Sequence, residues 1–202
     1  MSEITEALQR IEVWLQNHMP AHAAQLRFGL TRDEIEKQVQ NLPFSLPEEV
    51  YKLYQWHDGS VEQFLFLNYD FFSLKDAIEA YHQWWVEIFY DKHESAYFFY
   101  KSLPIFELWS DCGVFLSVVC NNYQNYPIRM LDVEYRDYFI RYHSLKDLIL
   151  HLADWYESAE CDEDENVPEF GVQEETRYLL DVKYMAKEYI RYIANRDVDS
   201  GS

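Results

Sequence analysis

Apolar side chains recur every three or four residues in several segments of the chain, which is the pattern of amphipathic helices. Near the N terminus this spacing predicts a helix over 3–19, which Pro20 ends. Further helices are predicted over 32–41, 46–57, 74–90 and 145–158. A last apolar stripe predicts a helix over 173–195 and consists of Leu179, Val182, Ala186, Tyr189 and Ile193.

Residues that cap helices stand at the beginning of most of these segments. Two pairs match the capping box: Thr31 with Glu34, and Ser45 with Glu48. The tetrapeptide Ser-Leu-Lys-Asp occurs at 73–76 and again at 144–147, with Ser at the N-cap position and Asp three residues later. Because the flanking sequences differ, the two copies predict two helix starts and no internal repeat.

Short runs rich in apolar, β-branched and aromatic residues lie between the helices predicted over 74–90 and 145–158. They predict two hairpins, the first from 103–109 and 114–120, the second from 127–133 and 138–143. A further short strand is predicted over 62–68. Consecutive hairpins with helices before and after them predict an α+β fold with an antiparallel sheet and a C-terminal helical extension.

The segment 157–175 holds nine acidic residues and no basic one, which is typical of a solvated linker. We therefore divide the chain into a main domain over 1–158, an acidic linker over 159–172, and a C-terminal helix with a frayed tail over 173–202. A helix with an apolar stripe does not stay uncovered in water. We expect it to pack on the main domain; pairing with a second chain is the alternative.

The excess of acidic residues in the whole chain limits the classes of partner that it can bind. The 202 residues include 36 acidic and 17 basic ones, a formal net charge of −19. Such a chain repels nucleic-acid phosphates, opposes self-association and attracts a basic partner. We therefore expect a monomer that binds no nucleic acid, although solubility alone is another explanation of the acidity.

The N-terminal segment and the cysteines point to a reducing compartment. Acidic residues stand where a signal peptide needs basic ones, and no apolar run approaches the ~20 residues that span a bilayer. The 3 cysteines form no Cys-x-x-Cys spacing, so the sequence predicts neither a disulfide framework nor a zinc site. We expect a cytoplasmic protein without membrane contact.

No motif in the sequence predicts catalysis, a metal ion or a cofactor. His18 and His22 have the spacing of a helical metal pair, but Pro20 breaks the helix that would align them. Ser117 lacks the glycines of a nucleophile elbow. The 5 glycines of the chain form no phosphate-binding loop.

Three segments in a characteristic order carry a resemblance to a known family. They are LPEEVYKLYQWHDG (46–59), LPIFELWSDCGVFLSVV (103–119) and YFIRYHSLKDLILHLADWYE (138–157). This order resembles the SUKH superfamily, which includes the fungal cell-wall assembly regulator and many bacterial immunity proteins. The resemblance covers roughly 3–158, and its matching positions are Leu46, Pro47, Glu48, Gly59, Leu103, Pro104, Ile105, Asp111, Gly113, Ser144 and Leu145.

The resemblance implies a twisted antiparallel sheet flanked by helices, no enzymatic activity, and binding to another protein. It favours an immunity-type protein that neutralises a toxin, which the charge suggests is basic and nucleic-acid-processing. A regulatory or scaffold protein with a host partner is the alternative, and an enzyme is the least favoured class.

For the partner-binding site we choose two turns that join a large aromatic residue to an acid. Their residues are Trp56, His57 and Asp58 in the first turn, and Trp109 and Asp111 in the second. The alternative is that both tryptophans belong to the core and both aspartates only shape their turns.

Overall fold

The computed structural model describes residues 2–61, 69–83, 101–108, 113–120, 126–132, 137–161, 170–171 and 173–187. The helices are α1 (Glu3–His18), α2 (Pro20–Ala23), α3 (Arg32–Val39), α4 (Glu48–Trp56), α5 (Leu74–Ala80), α6 (Leu145–Ser158) and α7 (Glu174–Tyr184). The strands are β1 (Leu26–Phe28), β2 (His57–Ser60), β3 (Tyr69–Phe71), β4 (Ser102–Leu108), β5 (Val114–Val119), β6 (Ile128–Asp132), β7 (Asp137–Tyr142), β8 (Glu160–Cys161) and β9 (Phe170–Gly171).

A five-stranded antiparallel sheet in the order β3–β4–β5–β6–β7 forms the centre of this α+β fold. Both predicted hairpins are confirmed, because β4 pairs with β5 and β6 pairs with β7. All six residues of β5 are buried, and since alternate side chains point to opposite faces, both faces of the sheet are covered there. The strand predicted over 62–68 lies outside the described residues.

Helices α1, α4 and α6 pack on one another beside the sheet. The predicted stripe of α1 is the buried one, with Ile11 and Leu15 at 0% and 1% exposure. Trp14 closes the seam between α1 and α6, where its ring lies 4.8 Å from that of Tyr156. None of the helices in the described part of the chain is long and apolar enough to cross a membrane.

Side-chain capping contacts form at three of the four helix starts where the sequence predicts a cap. Thr31 and Glu34 make both halves of a capping box at the start of α3. Ser73 and Ser144 accept the backbone N–H groups of the aspartates three residues later. The box predicted for Ser45 and Glu48 is wrong. α4 begins at Glu48 with Pro47 at its N-cap, and the Glu48 carboxylate instead pairs with Arg32, 3.1 Å away.

The helix predicted over 74–90 is α-helical from Leu74 to Ala80 and continues as a π-helical turn at 81–83. Its remainder lies outside the described residues. The two ends of the predicted acidic linker pair with each other as the antiparallel strands β8 and β9. Glu160 lies opposite Gly171, and Cys161 lies opposite Phe170. The ends of the predicted linker are therefore joined, so that α7 starts close to the end of α6.

The C-terminal helix packs on α6 and buries only Ala186 of the described part of the predicted stripe, while Tyr189 and Ile193 lie outside the described residues. Leu179 and Val182 are 60% and 48% exposed, while the buried apolar residues are Leu180, Met185 and Ala186. Residues 188–195 of the predicted helix lie outside the described residues. Before them the helix is interrupted after Tyr184, and residue 187 is helical again. The reason is tertiary, because Met185 pairs with Tyr142 of β7 and the Ala186 N–H donates to the Arg141 carbonyl, 2.8 Å away.

His151 of α6 is the buried polar residue beneath this helix, with 1% exposure. Its Nδ1 lies 2.8 Å from the Tyr142 hydroxyl, its ring stacks on Tyr184, and its Nε2 lies 3.4 Å from Asp181. Burial, reinforced by the nearby Arg141, lowers the pKa of His151 to about 4. Burial also raises the pKa of Asp181. Since His151 is uncharged at neutral pH, its contact with Asp181 is no conventional ion pair.

We predict that His151 makes folding stability depend on pH. Its pKa is about 4 in the folded protein against an ordinary 6.5, so the unfolded chain binds a proton that the folded protein excludes. This contribution is complete above pH 6.5 and is lost as pH falls toward 4, at roughly 1.4 kcal/mol per pKa unit. Urea unfolding of wild type and His151→Gln measures the slope of stability against pH. The variant should show a shallower slope between pH 6.5 and 5; equal slopes would contradict the prediction.

We predict that removing residues 160–202 leaves a folded but less stable monomer. Among the described residues, the deleted segment contributes only Met185 to the principal core cluster. Circular dichroism should show retained secondary structure with a lower melting temperature. Analytical ultracentrifugation should find both forms monomeric. A dimeric intact protein with a stable monomeric truncation would instead make the C-terminal helix the dimerisation element.

Candidate functional site

The turn after α4 holds three of the residues chosen from the sequence. α4 ends at Trp56 because His57 adopts an extended backbone, with φ −147° and ψ 147°, and its N–H caps the Leu53 carbonyl. The chain then continues directly as β2, which pairs with β1. Trp56 and His57 remain together, with ring centroids 4.5 Å apart in an edge-to-face arrangement.

His57 joins three elements through its ring. Nδ1 lies 2.7 Å from the Arg27 carbonyl oxygen of β1, and Nε2 lies 2.8 Å from the Glu12 carboxylate of α1. Both ring nitrogens face oxygen acceptors, so full use of both contacts requires a proton on each nitrogen. His57 therefore positions the outer face of α1 relative to the end of α4, and its side chain keeps 18% exposure.

Asp58 and Gly59 both contact the start of α5. The Asp58 carboxylate accepts the Leu74 N–H at 2.7 Å, beside the Ser73 cap. Gly59 has φ +77°, and a Cβ there would lie 2.4 Å from the Ser73 nitrogen, so this position requires glycine. The structure thus separates Asp58 from Trp56 and His57, because its carboxylate is bonded to a different element.

Trp56 and His57 line a groove of ≈ 530 Å³ between α1 and α4, which we call the Trp56 groove. Leu8 contributes to its floor, while Glu12 and Lys52 are the charged residues on its walls. Most of its exposed area is apolar, although the polar Thr5, Gln9 and Gln55 also line it, and it holds one acidic and one basic residue. Such a lining suits a side chain or short segment of another protein.

A second groove of ≈ 490 Å³, the Trp14 groove, runs along the other side of α1, against α6. Trp14 stacks on His18 at 4.6 Å in its floor. Glu6, Arg10 and Glu157 provide its charged residues. Gln9 lines both grooves, so α1 forms the ridge between them.

We call this ridge, with the two grooves, the α1 surface. Its outward residues are Glu6, Gln9 and Val13, and Val13 is 50% exposed. Sequence reasoning did not select them. The available signal was Val13, an apolar residue placed off the buried stripe of α1, next to Trp14.

The second predicted turn, with Trp109 and Asp111, lies outside the described residues. Cys120, at the end of the adjacent strand, is 5% exposed. Burial raises the pKa of its thiol to about 12. It therefore stays protonated at neutral pH and is a poor nucleophile.

No protein-family model matches this chain, and no curated protein matches it either. The resemblance to the SUKH superfamily therefore remains a prediction from its motifs. The choice of Trp56, His57, Asp58, Trp109 and Asp111 as partner-binding residues likewise remains a prediction.

We predict that Asp58→Ala lowers the free energy of unfolding by roughly 1–2 kcal/mol, because the Leu74 N–H at the start of α5 loses its acceptor. Asp58→Asn keeps an acceptor oxygen and should recover most of that loss. Chemical denaturation of the three proteins measures both effects. Equal stability of wild type and Asp58→Ala would show that the bond to the Leu74 N–H contributes nothing to stability. Partner binding would then be the expected role of Asp58.

Proposed function

We propose that this protein is a non-enzymatic, cytoplasmic protein-binding module of the immunity type, which binds and neutralises a basic, nucleic-acid-processing toxin. The observation that carries the proposal is the α1 surface, where grooves lined by Trp14 and Trp56 flank one helix that carries three glutamates and one arginine. The order of the SUKH-like motifs supports the same class of function.

The α1 surface has the composition of a binding site for a protein. Trp14 and Trp56 lie in adjacent grooves, one on each side of α1, and Val13 is exposed on the ridge between them. Tryptophan in a shallow depression with a polar rim is a common centre of binding energy in protein interfaces. The rim is supplied here by Glu6, Gln9 and Glu157.

The charge of this surface favours a cationic partner. α1 carries Glu3, Glu6 and Glu12 against Arg10 as its one permanently basic residue. Around it, the whole chain has a formal net charge of −19. A field of this sign raises the association rate of a basic protein, and a nucleic-acid-processing toxin is basic because it binds phosphates.

We predict that reversing charge on α1 weakens capture of the partner. In Glu6→Lys/Val13→Lys, two lysines oppose a cationic partner and remove the exposed apolar side chain. Affinity purification from the source organism with mass spectrometry identifies the partner. Titration of the purified pair should then show about tenfold weaker binding, a loss of ~1.4 kcal/mol.

The matched control is Asp33→Lys/Gln40→Lys, in the first turn and at the C-cap of α3. Asp33, like Glu6, is an exposed acid in the first turn of a helix, so both double variants change the net charge by the same amount. Equal weakening by both variants would place binding outside the α1 surface. Recovery of a host protein instead of a toxin would favour a regulatory or scaffold protein. Recovery of no protein at low salt would contradict the proposed function.

A further inference from the structure

The C-terminal helix is attached to the main domain through buried apolar residues and through a set of charged and hydrogen-bonded contacts. Leu180, Met185 and Ala186 are its buried apolar residues, and Asp181, Lys183 and Tyr184 add polar contacts to α6. Charged and hydrogen-bonded contacts weaken with salt or with a competing ion, whereas the burial of apolar area does not. This arrangement is typical of a segment that opens locally below the cost of global unfolding.

Asp154 of α6 is the principal anchor of this attachment. One carboxylate oxygen, Oδ2, accepts from Lys183 Nζ at 2.7 Å and from the Tyr184 hydroxyl at 2.5 Å. The other oxygen, Oδ1, accepts from Arg10 Nη2 of α1 at 2.6 Å. Partial burial acts to raise the pKa of Asp154, but the bonds from Lys183, Tyr184 and Arg10 outweigh it and lower the pKa to about 2.

Arg10 connects this anchor to the Trp14 groove. Its guanidinium also bonds both oxygens of Glu157, one turn after Asp154, at 2.7 and 2.5 Å. Arg10 and Glu157 both line the groove. With α7 docked, two carboxylates, Asp154 and Glu157, face two cations, Arg10 and Lys183, and the cluster is neutral. Without Lys183 the same cluster carries one negative charge.

We propose that α7 is an autoinhibitory latch, in which Lys183 and Tyr184 occupy the Asp154 carboxylate that would otherwise take a cationic group of the partner bound at the Trp14 groove. Release of α7 frees Asp154 Oδ2 and makes this end of the α1 surface more acidic. An arginine or lysine of the partner then replaces Lys183. This inference rests on the proposed function only for the identity of the partner, since the competition itself is intramolecular.

The test uses the full chain and the variant Lys183→Met/Tyr184→Phe, which keeps side-chain size but removes both donors to Asp154. The control is Lys187→Met, because Lys187 is an exposed lysine just past α7 and its loss changes the net charge equally. The probe is the peptide Ac-Arg-Arg-Arg-NH2, titrated while the Trp14 indole resonance is followed by NMR, with the resonance assigned from Trp14→Phe.

We expect the double variant to bind the peptide at least about threefold more tightly than Lys187→Met. Because both variants carry the same net charge, non-specific attraction cancels from the comparison. Equal affinity of the two variants would overturn the latch and leave the α1 surface proposal intact. Loss of partner binding in Glu6→Lys/Val13→Lys tests that surface separately.

Hydrogen–deuterium exchange gives a second, partner-independent readout. Amides of 174–187 should exchange at least about fivefold faster in the double variant than in Lys187→Met. In wild type they should exchange faster in 1 M than in 0.05 M salt, because salt screens exposed charges but strengthens apolar docking. Exchange that is unchanged or slower at high salt would overturn polar docking and, with it, the latch.

Discussion

The burial of β5 on both faces is the constraint on which the rest of this structure depends. A strand whose six residues are all buried needs neighbours on each side and covering layers above and below. The hairpin partners β4 and β6 satisfy its backbone, and α1, α4 and α6 pack together beside the sheet. The amphipathic helices owe their stability to this burial, since isolated helices of such length are marginal in water.

The position of the candidate surface follows from that packing. α1 is held between α4 on one side and α6 on the other, so both of its seams open to solvent as grooves. Tryptophans lie at these seams because a large ring can close the gap between two helices while part of it stays accessible. In the proposed function, Trp14 and Trp56 therefore serve both in helix packing and in partner binding.

Polar contacts between residues far apart in the sequence fix the orientation of the elements, which apolar packing does not do. His57 ties β1 and α1 to the end of α4, and Asp154 ties α1 and α7 to α6. Such bonds are directional, so they fix orientation, and they respond to protons, salt and competing ions, so they can be exchanged. The core supplies the stability of the molecule, and the contacts of His57 and Asp154 hold particular elements together.

The sequence by itself determined the features that arise within a few residues of the chain. The caps at Thr31, Ser73 and Ser144, the stripe of α1 and both hairpins depend on neighbours in sequence, and each prediction matched the structure. Those signals were also sufficient for the α+β class. They placed Trp56 and His57 side by side, because adjacent residues at a helix end remain adjacent in the fold.

Tertiary structure alone decided the contacts between distant residues. The buried side of α7, the turn of the chain at Met185 and the bond from Leu74 to Asp58 all depend on partners that local spacing does not specify. Leu179 and Val182 of the predicted stripe stay exposed because α7 docks against Asp154 and His151, whose contacts with Lys183 and Tyr184 orient the helix so that Leu180 is the buried apolar residue. Periodicity identifies which face could be buried, whereas the groups on the opposing surface determine which face is.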